Sequence, residues 1–263
     1  MKRVSNIPGR TAAVSVISVA CLLVAPMGSL ALGLHGAAAA SKSQANSFCT
    51  GLSSRTDKIT AKLNDLSGKV TPAWSKQGQK LADGWQKVDQ TVAADRQKAD
   101  SSLNADFAKL EAKAKTDNQK QAVQAYEAAV RDAVTTRRAA YDAARQTFRT
   151  GVENAANSRH GTITSQLDTF KGSVNSAIGT AKDSCASNPA NGTAILQALQ
   201  ASLKSARTNF QSDRKDDNTV GSQVKQLVVA RKAAFKAADK AFQDSLSTAR
   251  QALKQAFGNS NSV

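Results

Sequence analysis

Residues 103–130 read LNADFAKLEAKAKTDNQKQAVQAYEAAV. Leu103, Phe107, Leu110 and Ala114 recur at helical spacing up to the turn-forming cluster Thr116-Asp117-Asn118. Val123, Tyr126 and Val130 take up the same spacing on the far side. The stretch therefore reads as helix, tight turn, helix, and so short a connection makes the two helices antiparallel neighbours.

Both stripes continue outward from this turn. Upstream, Leu52, Ile59, Leu63, Leu66, Val70, Trp74, Leu81, Trp85, Val88, Val92 and Ala99 lie on the first. Downstream, Val134, Tyr141, Phe148, Val152, Ile163, Leu167, Phe170, Val174, Ile178, Ala181 and Cys185 lie on the second. The repeat is about 3.65 residues, which predicts straight or weakly coiled helices rather than a strict left-handed coiled coil. Cys49 and Cys185 are equidistant from Asp117. A hairpin turning there brings the two thiols together at its open end as a disulfide. Continuous arms of about 65 residues would run roughly 100 Å. Thr71-Pro72, after Gly68, carries a helix-start signal, and its mirror position falls beside His160-Gly161-Thr162. Either both arms bend there or each arm is two helices.

Asn188-Pro189 opens a third helix with Ile195, Leu199, Leu203, Ala206 and Phe210 on one face. After a charged break from Asp213 to Thr219, a fourth runs to Phe257 through Val224, Leu227, Phe235, Phe242, Leu246 and Leu253. The expected fold is all-α: an elongated antiparallel helical hairpin or bundle with one disulfide. Its parts are a hairpin at 48–187, a second hairpin at 188–257 packed on the first, and a polar tail at 258–263. Three motifs recur in order. Ile59-Thr60-x-x-Leu63-x-x-Leu66-x-Gly68-x-Val70 returns as Ile163-Thr164-x-x-Leu167-x-x-Phe170-x-Gly172-x-Val174. Lys115-x-Asp117-Asn118 returns as Lys215-x-Asp217-Asn218. Arg137-Arg138-Ala139-Ala140-Tyr141-x-Ala143-Ala144-x-x-x-Phe148 returns as Arg231-Lys232-Ala233-Ala234-Phe235-x-Ala237-Ala238-x-x-x-Phe242. The pattern points to a duplicated helical hairpin of roughly 100 residues.

Composition agrees. The chain has 263 residues with only 15 Gly, 4 Pro and 5% aromatics, which excludes collagen-like and Pro/Gly-rich disordered classes. Residues 1–40 carry Lys2, Arg3 and Arg10, then an apolar run, then Ala38-Ala39-Ala40. This is the pattern of a secretory signal peptide cleaved after Ala40, an uncleaved membrane anchor being the alternative. Residues 41–47 have nothing to bury and read as a flexible lead. No later run is apolar enough to span a membrane. Export, to the periplasm, the cell surface or the medium, also suits a disulfide between the two remaining cysteines.

The net charge is +16, and +13 remains once the three bases of residues 1–40 are set aside. The last helix concentrates it in Lys225, Arg231, Lys232, Lys236, Lys240, Arg250 and Lys254, against Asp239 and Asp244. Lys232, Lys236 and Lys240 step by four and share a helix face. These seven residues form the candidate polyanion-binding set. Nothing else suggests chemistry. His160 is the one histidine after residue 40 and sits in a polar stretch. There is no phosphate-binding Gly-rich loop and no metal-ligand spacing, so no cofactor, metal or catalytic residue is expected. The aromatic residues fall on the stripes and read as core.

The runs Phe48-Cys49, Asp95-Arg96-Gln97-Lys98-Ala99-Asp100, Lys109-Leu110-Glu111-Ala112-Lys113-Ala114-Lys115 and Thr136-Arg137-Arg138-Ala139-Ala140-Tyr141 resemble secreted, Ala/Lys/Gln-rich helical proteins of small-genome candidate-phyla bacteria. In general design the chain is also similar to basic, long-armed helical periplasmic chaperones, though it lacks their β-rich assembly segment. Three functions are expected in order. The first is a non-enzymatic structural or interaction protein of the cell envelope, holding an anionic envelope polymer or another protein. The second is a holdase-type chaperone, and the third an extracellular nucleic-acid binder. The oligomeric state is not legible.

Overall fold

The structure, a computed structural model, describes residues 42–215 and 219–258. The signal-peptide expectation falls on residues outside this range, as do Asp216, Asp217, Asn218 and the polar tail after Gly258. The chain is all-α, as expected. Helix α1 spans Lys42–Glu111, and α2 spans Asp117–Ser187. A 3-10 turn at Pro189–Asn191 leads into α3, Gly192–Lys215, and α4 spans Thr219–Gly258. Helix α1 begins at Lys42, inside the stretch expected as a lead.

The turn between α1 and α2 is closed by Thr116 and Gln119. The Gln119 backbone N–H donates to Thr116 Oγ1 (3.2 Å), and Gln119 Oε1 accepts from the backbone N–H of Thr116 (3.3 Å) and of Lys115 (2.8 Å). This reciprocal capping box satisfies donors that the first turn of a helix leaves unpaired. Of the two alternatives for the arms, the continuous one holds. Helix α1 runs through Pro72 although a proline there forfeits one backbone hydrogen bond, and α2 runs through Gly161.

The described chain divides into two compact units, each built on both arms of the hairpin. The clasped unit comprises residues 42–81 and 156–221. Its core is a three-helix cluster: Phe48, Leu52, Ile59 and Leu63 of α1, Leu167, Phe170, Val174 and Ile178 of α2, and Ile195, Leu199, Leu203 and Phe210 of α3. The rings of Phe170 and Phe210 stack 5.0 Å apart. Cys49 and Cys185 are disulfide-bonded with Cα atoms 5.5 Å apart.

The tip unit comprises residues 82–155 and 222–258. There α4 takes the third place, with Phe242, Leu246, Ala249 and Leu253 packed on Phe107 of α1 and on Val123, Tyr126, Val130 and Ala133 of α2. The helices of 188–257 thus divide between the units, α3 to one and α4 to the other. The register read from the cysteines recurs inside each unit. Trp74 meets His160 in the clasped unit and Trp85 meets Arg149 in the tip unit, and both pairs are equidistant from Asp117. No helix of the described residues is long and apolar enough to cross a membrane.

Candidate polyanion-binding surface

At about 100° per residue, Lys225, Lys232, Lys236, Lys240 and Lys254 fall within an arc of about 80° around α4. All five are exposed. Lys240 pairs with Asp244 at 2.7 Å. The other four make no ion pair among the described residues. Arg250 lies on the same arc but is half-buried. Val229, the exposed large hydrophobic residue of the described chain at 66%, lies there too. The buried side of α4, Val224, Phe242, Leu246 and Leu253, is centred about 100° around the helix from the middle of the lysine arc.

Arg231 does not share that arc. It lies about 120° from Lys225 around the helix, half-buried, with its guanidinium 4.1 Å from the centre of the Phe148 ring. Its Nε is buried and has no hydrogen-bond acceptor. Burial, and after it the neighbouring Arg145, push the pKa of Arg231 down. Helical spacing alone could have set it apart from the lysines; the adjacency of Arg231 and Lys232 concealed the difference.

The contacts around Arg231 are reciprocal. The repeated motif of α2 packs against its second occurrence in α4, and equivalent residues meet across a local two-fold. Tyr141 stacks on its counterpart Phe235 at 4.2 Å. Arg137 lies 4.9 Å over the ring of Phe242, while its counterpart Arg231 lies over Phe148, the counterpart of Phe242. This is the contact pattern of an isologous interface, here within one chain. Gly151 sits where a Cβ would come within 2.5 Å of the Leu227 side chain, so Leu227 packs directly onto the glycine. The counterpart residues at the other half of the two-fold are Ala133 and Ser245.

Arginine–carboxylate pairs join the helices of this unit. Arg149 pairs with Asp89, Arg138 with Asp100 (2.7 Å), Arg96 with Asp142 (2.6 Å) and Arg137 with Asp239 (2.6 Å). The Arg149 hydrogen bond holds the Asp89 carboxyl below the ordinary carboxylate range, against a smaller effect of burial. Arg138 does the same for Asp100. Burial pushes Asp142 upward, but Arg96 and Arg145 together outweigh it and its pKa falls. Tyr141 donates from its hydroxyl to Asp239 (2.7 Å), and burial together with that bond raises its pKa. Much of the arginine charge is therefore spent between helices, and the lysines of α4 carry the outward share.

The aromatic stripe separates in the same way. Phe107, Tyr126, Phe148, Phe170, Phe210 and Phe242 are buried as expected, but Trp74, Trp85, Tyr141 and Phe235 are half-buried. Each of the four lies against a basic or imidazole group. Trp85 has Arg149 over its ring, and Tyr141 and Phe235 share Arg145. His160, expected as a solvated residue at a kink, stacks on Trp74 at 4.8 Å within a continuous helix, its Nε2 buried without a partner.

No group of His, Cys, Asp and Glu among the described residues could hold a metal ion. An open groove of about 780 Å³ runs between α2 and α3 in the clasped unit, lined by small residues such as Ser173, Ser176, Thr180, Ala198, Ser202 and Asn209. Comparison with protein-family models, curated proteins and solved structures gave no match.

Proposed function

We propose that the chain is an exported, non-enzymatic interaction protein of the cell envelope, in which the lysine face of α4 holds an anionic polymer. One observation carries the reading: five exposed lysines on one helix face, four of them without a carboxylate partner among the described residues. Such a face attracts any flexible chain of regularly spaced negative charges, with little sequence preference. Export rests on the leader pattern of residues 1–40 and on the Cys49–Cys185 disulfide, which suits an oxidising compartment. An anionic envelope polymer is the occupant such a compartment offers most directly, and extracellular nucleic acid is another with the same charge chemistry. The chaperone reading draws no comparable support. Among the described residues Val229 is the exposed large hydrophobic, and the groove between α2 and α3 is lined mostly by Ser, Thr, Ala and Asn, with Ile195 and Leu199 its large apolar side chains.

The test is binding of the full chain to purified anionic wall polymer and to duplex DNA at rising salt. Tight binding at low salt that weakens steeply and linearly on a logarithmic scale supports the reading. A salt-independent interaction, or none at low salt, overturns it.

A further inference from the structure

The local two-fold of the tip unit relates two arginine sites that are built alike and completed differently. At the first, Arg137 donates from Nε to Asp239 (2.7 Å), and Tyr141 donates its hydroxyl proton to the same oxygen (2.7 Å). At the second, the counterpart of Arg137 is Arg231, the counterpart of Tyr141 is Phe235, and the counterpart of Asp239 is Arg145. The carboxylate of one site is thus replaced in the other by a second guanidinium.

The second site is short of negative charge. Arg231 makes no hydrogen bond or ion pair among the described residues, although its Nε is buried. Arg145 lies over the rings of both Tyr141 and Phe235, 5.7 Å from each, which places it at the centre of the two-fold contact. Its one carboxylate, Asp142 at 3.1 Å, is also held by Arg96 at 2.6 Å. Two guanidiniums therefore share Asp142, and Arg231 has no carboxylate among the described residues. A buried donor left without an acceptor is costly, and neighbouring like charges repel: Arg145 helps to push the pKa of Arg231 down, after burial. A planar guanidinium pair is matched by a carboxylate or a phosphate, which can accept from both.

We propose that Arg231 and Arg145 bind a single oxyanion, a carboxylate or a phosphate, which supplies Arg231 with the acceptor that Asp239 supplies to Arg137. The site is separate from the lysine face of α4 and does not rest on the polymer reading. A free phosphate and a phosphate or carboxylate borne by a polymer offer it the same chemistry.

The experiment follows the thermal midpoint of the full chain in sodium phosphate, in sodium acetate and in sodium chloride at matched ionic strength. A saturable rise of about 3–6 °C is expected at ten times the dissociation constant of the preferred oxyanion, with no rise in chloride. Inorganic polyphosphate and poly-glutamate, compared with phosphate and acetate at equal concentrations of charged groups, separate a polymer-borne anion from a free one. The variant Arg145→Asp restores the arrangement at Arg137. It should melt higher than the parent in chloride and lose the oxyanion-dependent rise. Arg231→Gln removes the site without adding an acid and should also lose the rise, which covers the case in which Arg145→Asp does not fold. An oxyanion-dependent rise retained in either variant, or no rise in the parent in any oxyanion, overturns the proposal. Replacing Lys232, Lys236 and Lys240 by Gln should leave the phosphate-dependent rise unchanged. The two readings therefore fail separately.

Discussion

The clasped unit and the tip unit use the same hairpin and hold it by different forces. In the clasped unit, three helices bury a continuous cluster of Leu, Ile, Val and Phe and are closed by a disulfide. Its Lys69–Asp65 ion pair is exposed and lies within one helix. In the tip unit the apolar cluster is confined to one portion, from Phe107 to Ala133 and from Phe242 to Leu253. The remainder holds the buried Phe148 and Val152 together with half-buried aromatics with arginines over their rings and interhelical arginine–carboxylate pairs. Helix α1 has no buried residue between Leu63 and Phe107. A basic chain can still pack its arginines, because a guanidinium stacks on rings and pairs with carboxylates at once. The lesson is that the net charge does not measure the binding surface.

The chain has two tryptophans, one in each unit, so Trp74→Phe and Trp85→Phe versions report the tip unit and the clasped unit respectively. The largest effect is expected from the clasp. Reduction, or Cys49→Ser with Cys185→Ser, opens a loop with a sequence separation of 136. It should cost about 4–5 kcal/mol in the chain-entropy model. Urea unfolding followed through Trp74 should shift to much lower denaturant, while the transition seen through Trp85 moves less. Equal shifts in both would mean that the units unfold as one.

Phe148→Ala should act in the opposite sense. Phe148 is 2% exposed, packs edge-on against Trp85 and lies under Arg231. Its loss should cost about 3–5 kcal/mol, read first through Trp85. An effect seen mainly through Trp74 would break the distinction between the units.

Acid gives a smaller effect with a defined sign. Asp89, Asp100 and Asp142 have depressed folded pKa values. Their contribution is fully present above the unfolded Asp value of about 3.9 and is lost as pH falls through the folded values. Each exposed pair contributes under about 1 kcal/mol. Acid titration should therefore lower the Trp85 transition below about pH 4, more than the Trp74 transition. A larger acid response in the clasped unit would contradict the assignment of forces.

Much of this was legible in the sequence. The turn at Asp117, the register set by Cys49 and Cys185 and the buried stripe of α3 all follow from periodicity, because a long amphipathic helix repeats its signal many times. Gln119 completes a capping box with Thr116 that the turn cluster alone did not reveal, although the Thr-x-x-Gln spacing was there to be read. The partition of charge was harder. Arg137 and Arg231 look alike in sequence, and only the packing of α2 on α4 shows one paired with Asp239 and the other lying over Phe148 without an acceptor for its Nε. Half-buried aromatics and arginines fall on the border between stripe and surface, where spacing fixes the helix but not the partner across from it.

The claim that the tip unit's α4 lysines form the binding face is tested most directly by comparing two sets of substitutions. Lys232, Lys236 and Lys240 are replaced by Gln in one version. Lys58, Lys62 and Lys204, exposed lysines of the clasped unit, are replaced by Gln in the other. Lys and Gln have similar helix propensities, so both versions should stay folded. Binding to duplex DNA and to anionic wall polymer is then measured across a salt series. The account predicts that the first set lowers the slope of log affinity for DNA against log salt by about 2–3, while the second leaves it at the parent's value. Equal losses in both versions, or an unchanged slope in the first, would contradict it.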